Sequence, residues 1–113
     1  MTITRIDQGP RMSQAVIHNG LVWLAGQVGE GATVTEQTQD ALARVDRLLE
    51  KAGTSKSKLL SVQVWVADVA HVAEMNAVYD AWIDPDNKPA RACGESKLVQ
   101  PHYKVEFLVV AAL

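Results

Sequence analysis

The order of elements in this chain predicts an α+β fold: strands, helix, strand, helix, strands, with both helices able to cover one side of a single mixed sheet. Three stretches carry that reading. Residues 13–18 and 21–28 flank Asn19-Gly20 as the arms of a hairpin would, an apolar stripe at helical spacing runs from Ala41 to Ala52, and residues 59–67 alternate at period two. With 113 residues the chain reads as one domain, 1–113, large enough for a real core. Folding alone would bury only about two thirds of the surface its unfolded form exposes, which leaves room for help from partner subunits.

Residues 2–7 alternate crudely, as a first edge strand, and Gln8-Gly9-Pro10 ends them with turn chemistry. In the hairpin, Asn19-Gly20 favours the positive φ angles of a type I′ turn. Its second strand, 21–28, is apolar on both faces, so both sides of the sheet are expected to be covered there. Gly26 interrupts that strand, marking a bulge or a close approach and an exposed backbone N–H nearby. Thr33 followed by Glu36 has capping-box spacing for a helix. Ala41, Leu42, Val45, Leu48, Leu49 and Ala52 form its buried stripe, and Gly53 stops it.

In strand 59–67, Leu60, Val62, Val64 and Val66 share one face and Ser61, Gln63, Trp65 and Ala67 the other. Trp65 among small and amide residues reads as an interface or pocket wall, or simply as a half-exposed tryptophan. Asp68 is placed to cap a second helix, with Val72, Met75, Val78, Tyr79 and Trp82 as its buried stripe and Pro85 at its end. A last strand, 103–111, turns Val105, Phe107 and Val109 one way and Glu106, Leu108 and Val110 the other. With helices on one face, the opposite face, carrying Trp23 or Trp65 and Leu108, needs another cover. Identical subunits are the simplest source.

Composition excludes several classes. Lys and Arg number 11 against 13 Asp and Glu, a formal net charge of −2 with the basic residues scattered, so no nucleic-acid partner is expected. Cys93 is the only cysteine, which rules out an intrachain disulfide and fits a reducing compartment. His18, His71 and His102 lie apart, without metal-ligand spacing. There is no leader-like N-terminus and no apolar run approaching the ~18 residues of a spanning helix, so the expectation is a cytoplasmic protein with no membrane partner.

The chemistry centres on Pro89-Ala90-Arg91-Ala92-Cys93. Pro89 biases Lys88 toward extended backbone, so a strand is expected to begin here, with Arg91 and Cys93 on one face. A guanidinium among apolar and small neighbours calls for an anion, either a side chain or a ligand. Glu106 is the second singular residue, because a carboxylate on an apolar strand face costs several kcal/mol to desolvate unless paired. An Arg91–Glu106 salt bridge, within the sheet or across an interface, accounts for both. So does a division of labour in which Arg91 clamps a substrate carboxylate while Glu106 positions a water or moves a proton. Cys93 reads as a small packed thiol before it reads as a nucleophile, since no histidine stands in an evident supporting position.

The segments Met12-Ser13-Gln14-Ala15-Val16, Leu24-Ala25-Gly26-Gln27-Val28, Met75-Asn76-Ala77-Val78-Tyr79, Pro89-Ala90-Arg91-Ala92-Cys93 and Lys104-Val105-Glu106 resemble, in order and spacing, the signatures of the reactive intermediate deaminase (Rid) family, also called L-PSP endoribonuclease-like. The resemblance implies a chorismate-mutase-like mixed sheet with two helices packed on one face, a homotrimer with clefts between subunits, and no metal or organic cofactor. It implies hydrolysis of enamines and imines, such as 2-aminoacrylate or 2-imino acids, to a 2-keto acid and ammonia. Arg91 matches the arginine that grips the substrate carboxylate, and Glu106 the acid that helps place water. Cys93, Gly26 and Asn76 match positions around the cleft. Where the best-known deaminases carry tyrosine and serine, this chain has Met12 and Ala25, so its pocket is expected to be more apolar.

Three functions follow as expectations. The first is imine or enamine hydrolysis of a small carboxylate substrate; the second is a non-catalytic trimer that binds a carboxylate metabolite through Arg91. The third, endoribonuclease, requires a basic cleft, and the scattered, slightly acidic charge speaks against it.

Overall fold

The computed structural model describes residues 2–113. Strands β1 (Thr4–Ile6), β2 (Ala15–His18) and β3 (Leu21–Leu24) lead into helix α1 (Val34–Ala52); β4 (Leu59–Val66), helix α2 (Val72–Trp82), β5 (Ala90–Glu95) and β6 (Val105–Ala112) follow. The six strands form one sheet in the order β1-β2-β3-β6-β4-β5, antiparallel throughout except for the parallel pair β4–β5 that α2 connects. This is the expected α+β architecture. Both helices lie on the same face, and one core joins Val22 and Leu24, the α1 stripe, Met75 and Tyr79 of α2, Val62, Val64 and Val66, and Val105, Phe107 and Val109.

Local chemistry explains the element ends. Asn19 and Gly20 adopt φ of 52° and 75°, as a type I′ turn demands, and His18 pairs with Leu21 across it. At the start of α1, Thr33 Oγ1 accepts from the Glu36 N–H while Glu36 Oε1 accepts from the Thr33 N–H, the reciprocal capping box. At its end Gly53 turns left-handed at φ 86°, and the N–H groups of Gly53 and Thr54 close onto the carbonyls of Glu50 and Leu49 in a Schellman motif.

The structure departs from the sequence reading in four places. β3 stops at Leu24 instead of running to residue 28; the chain rejoins the sheet only at Gln27, which bridges Phe107. Within the single chain β3 is covered on one face only, with Trp23 40% exposed on the other. A register shift between Leu59 and Ser61 puts Leu59 into the core and Leu60 outside, which reverses the expected role of Leu60. Asp68 caps a short 3₁₀ turn, Val69–His71, ahead of α2, and α2 ends at Trp82, before Pro85.

Two polar side chains tie the layers together. Gln37 is fully buried on α1: its Nε2 donates to the carbonyls of Gly31 and His102, and its Oε1 accepts from the Lys104 N–H at 2.7 Å. It pins the loop before α1 to the turn before β6. Thr35, in the first turn of α1, donates its N–H and hydroxyl to Glu74 Oε2 of α2 at 2.9 and 2.8 Å. These bonds hold the Glu74 carboxyl below its usual range.

Replacing Gln37 by Met is expected to lower the unfolding free energy by about 2 kcal/mol, because three partly buried backbone groups lose their partner, while Gln39→Met on the exposed side changes it by less than about 0.5 kcal/mol. Urea titration checks both. Glu74 is expected to titrate below 4.5 in the folded protein, and Thr35→Val to raise that midpoint toward the ordinary glutamate value while keeping the backbone bond. Since its folded pKa is depressed, the stability Glu74 contributes is present above the unfolded pKa and lost as pH falls through the folded one. Carboxyl ¹³C titration by NMR reads the shift.

Candidate functional site

Arg91 lies on β5 opposite Val62 and therefore shares the helix-covered face of the sheet. Its guanidinium carbon sits 4.8 Å from the centre of the Tyr79 ring of α2, a cation–π platform. Tyr79 is in turn fixed by Phe107, its ring parallel within 2° at a centroid distance of 6.4 Å. Arg91 is exposed and forms no ion pair among the described residues. Cys93 and Glu95 follow it on the same face. Cys93 is exposed in the single chain, not the packed thiol expected from its size, because edge strand β5 has no neighbour on its outer side. Glu95 Oε1 accepts from the Val69 N–H at 2.9 Å. Asn76 stands one turn before Tyr79 on α2, with its Oδ1 buried and unpartnered among the described residues.

Glu106 lies on the other face. It pairs with Trp65 on β4, and the face it occupies with Leu108 and Val110 carries no helix. Register and alternation together forbid the salt bridge within the sheet: Arg91 and Glu106 point away from each other through the sheet plane. What Glu106 does meet is Gly26. A Cβ at position 26 would collide with the Glu106 carboxylate, so the glycine that interrupts β3 is there to admit this acid. The Gly26 N–H makes no hydrogen bond among the described residues, while the neighbouring N–H groups are taken, Ala25 by the Gln14 carbonyl and Gln27 by that of Phe107. The Gln27 side chain, 6% exposed, braces the segment by donating to Gln14 Oε1 and to the Ala25 carbonyl, each at 3.0 Å.

Trp65 fills the space on the far side of Glu106, its ring passing 3.4 Å from where a Cβ would stand on Gly94. The structure thus groups Arg91, Cys93 and Asn76 at the β5–α2 edge, and Gly26, Ala25 and Glu106 on the open face. Met12 belongs to neither group: it is 45% exposed in the loop between β1 and β2, beside a cavity of about 380 Å³ with Arg5, Arg11 and Val16. Sequence reasoning missed Tyr79 as the support of Arg91. Its only signal was a polar-tipped aromatic within a buried helix stripe.

The chain is an α+β protein with both helices on one face of a mixed sheet, an arginine at the sheet edge without an ion partner among the described residues, and a carboxylate against a glycine on the bare face. Residues 2–113 match the family described as Endoribonuclease L-PSP. The chain is 42% identical to a RutC family protein of Haemophilus influenzae over 98% of each chain, and 42% identical to the RutC family protein YoaB of Escherichia coli K12 over the full length of both. A solved structure of a YjgF protein family member from Neisseria meningitidis superposes with a TM-score of 0.98 at 42% identity, covering 99% of this chain and 95% of that one. The chain belongs to this L-PSP/YjgF (RutC) family.

Burial raises the Tyr79 phenol above its ordinary pKa of 10.0, and the nearby Arg91 charge opposes the rise. Arg91→Met is therefore expected to push Tyr79 ionisation to still higher pH. Ultraviolet tyrosinate titration measures this; an unchanged Tyr79 midpoint would mean that the guanidinium does not rest on the ring in solution.

Proposed function

We propose that the protein hydrolyses reactive enamines and imines of small 2-imino acids in a cleft between subunits of a homotrimer. One observation carries the reading: Arg91 and Glu106, each without an ion partner among the described residues, occupy opposite faces of one sheet. A single sheet does not present both to one small molecule. Two chains do, one contributing its β5 edge and the other its open face. The bare face supports this assembly, with Trp23 and Leu108 40% and 43% exposed on it. So does the buried, unpartnered Asn76 Oδ1, since an acceptor left this way costs about 1–3 kcal/mol that a donor from outside the chain relieves.

In the proposed reaction Arg91, steadied on Tyr79, takes the substrate carboxylate bidentately. Glu106 accepts a hydrogen bond from a water and aims its oxygen at the imine carbon, and the free Gly26 N–H donates to the polar groups gathered there. Glu106 takes a proton from the water as its oxygen bonds to that carbon and passes it to the nitrogen; the hydroxyl proton of the resulting carbinolamine follows by the same route as the carbon–nitrogen bond breaks, releasing ammonia and the 2-keto acid. An imine is already electrophilic, so no covalent nucleophile is required.

A second reading, carboxylate binding without turnover, is favoured by Met12 and Ala25, which bring no hydroxyl to the cleft. RNA cleavage is disfavoured by the surroundings of Arg91, since the other charged residue on its face of β5 is the acidic Glu95, while a polynucleotide needs a basic track.

The test is keto acid release from imines generated by an amino-acid oxidase, with semicarbazide trapping whatever imine remains free. Arg91→Ala is expected to lower kcat/KM by about 100-fold, and Glu106→Gln to lower kcat with little change in KM. Equal rates for wild type and Arg91→Ala reject the clamp. Keto-acid-dependent melting with no turnover selects the binder. Light scattering is expected to give three times the mass of the chain, and lone protomers would remove the cleft.

A further inference from the structure

We infer that the cavity between α1 and the β1–β2 segment is a second binding site, separate from Arg91 and Glu106, for a small phosphorylated metabolite. The cavity measures about 320 Å³. Arg44, Arg47, Leu48 and Lys51 of α1 form one wall, and Asp7, Gln14 and Gln27 face them. Three cations stand against Asp7 in the lining and Asp40 beside Arg44, a formal excess of one positive charge, in a protein whose net charge is −2. Read as a sequence, these basic positions are simply the solvated side of an amphipathic helix. Folding places the β1–β2 segment across them and makes a walled site.

The cations are available. Arg47 has no carboxylate partner among the described residues. Arg44 meets Asp40 at 3.0 Å and Lys51 meets Asp7 at 2.9 Å, with Lys51 and Asp7 57% and 46% exposed. Ion pairs this open are worth only about 0–1 kcal/mol, so both cations can be shared with an incoming oxyanion. The floor adds a neutral donor: Gln27 occupies Gln14 Oε1, which leaves the Gln14 amide N–H groups without an acceptor among the described residues. A guanidinium fork, two shareable cations and an amide suit a tetrahedral oxyanion, whose three or four oxygens can take more of these donors at once than the two of a lone carboxylate.

Occupancy has a route to the open face. The Gln27 amide that braces Gln14 also holds the Ala25 carbonyl, and Ala25 precedes the Gly26 that abuts Glu106.

Calorimetric titration of the full chain with inorganic phosphate, at constant ionic strength set by chloride, tests the site. Saturable binding is expected in wild type, weaker by about tenfold in Arg47→Ala, abolished in Arg47→Glu and unchanged in Arg91→Ala. Three results overturn the inference: no saturable binding up to about 10 mM phosphate, equal binding by Arg47→Ala, or loss of binding in Arg91→Ala, which would put the anion at that arginine instead. A parallel titration with single-stranded RNA separates the sources of phosphate. Salt-dependent binding tighter than that of phosphate would replace the small metabolite by a polynucleotide.

Discussion

Neighbouring residues of a β-strand cannot face the same way, and the central strands of this protein turn that constraint into a division of labour. Val62 and Val64 commit one face of β4 to the core, so Arg91 and Cys93, in register with them on β5, must share the helix side. Phe107 and Val109 make the same commitment on β6, and Glu106 is thereby sent to the bare side with Trp65. A slip of one residue in β6 would expose Phe107 and Val109 as it reversed Glu106, and a slip in β5 would likewise turn Arg91 to the bare side. The hydrophobic core is thus what holds the two candidate groups apart.

Around that frame the loops are set by amides. Gln37 satisfies three backbone groups from two loops, and Gln27 satisfies a side chain and a carbonyl in the segment where the chain leaves the sheet after β3. A carboxamide carries both a donor and an acceptor at no cost in charge, so it can be buried where a carboxylate or ammonium could not. The break in β3 between Leu24 and Gln27 is stable for that reason, and it brings Gly26 against the one acid on the open face.

The residues that sequence inspection picks out at the site are those that contradict their surroundings: a guanidinium among alanines, a carboxylate on an apolar strand, a glycine inside a hydrophobic run. Each such conflict is local and visible in the order of residues. That Gly26 and Glu106 explain one another is not, because 80 positions separate them. The platform of Tyr79 under Arg91 and the passage of Trp65 over Gly94 are hidden in the same way.

Periodicity, capping chemistry and turn residues alone determined the α1 helix from its Thr33 cap to Gly53, the Asn19-Gly20 hairpin and the strand character of residues 90–95 and 105–112, since these depend on contacts within a few residues. Strand order, the bulge that exchanges Leu59 for Leu60, and the exposure of Cys93 were decided by tertiary structure. So was the choice between an internal Arg91–Glu106 pair and two independent groups. Which strand lies beside which is settled by the packing of both helices at once, a balance over the whole core that no short window of residues contains.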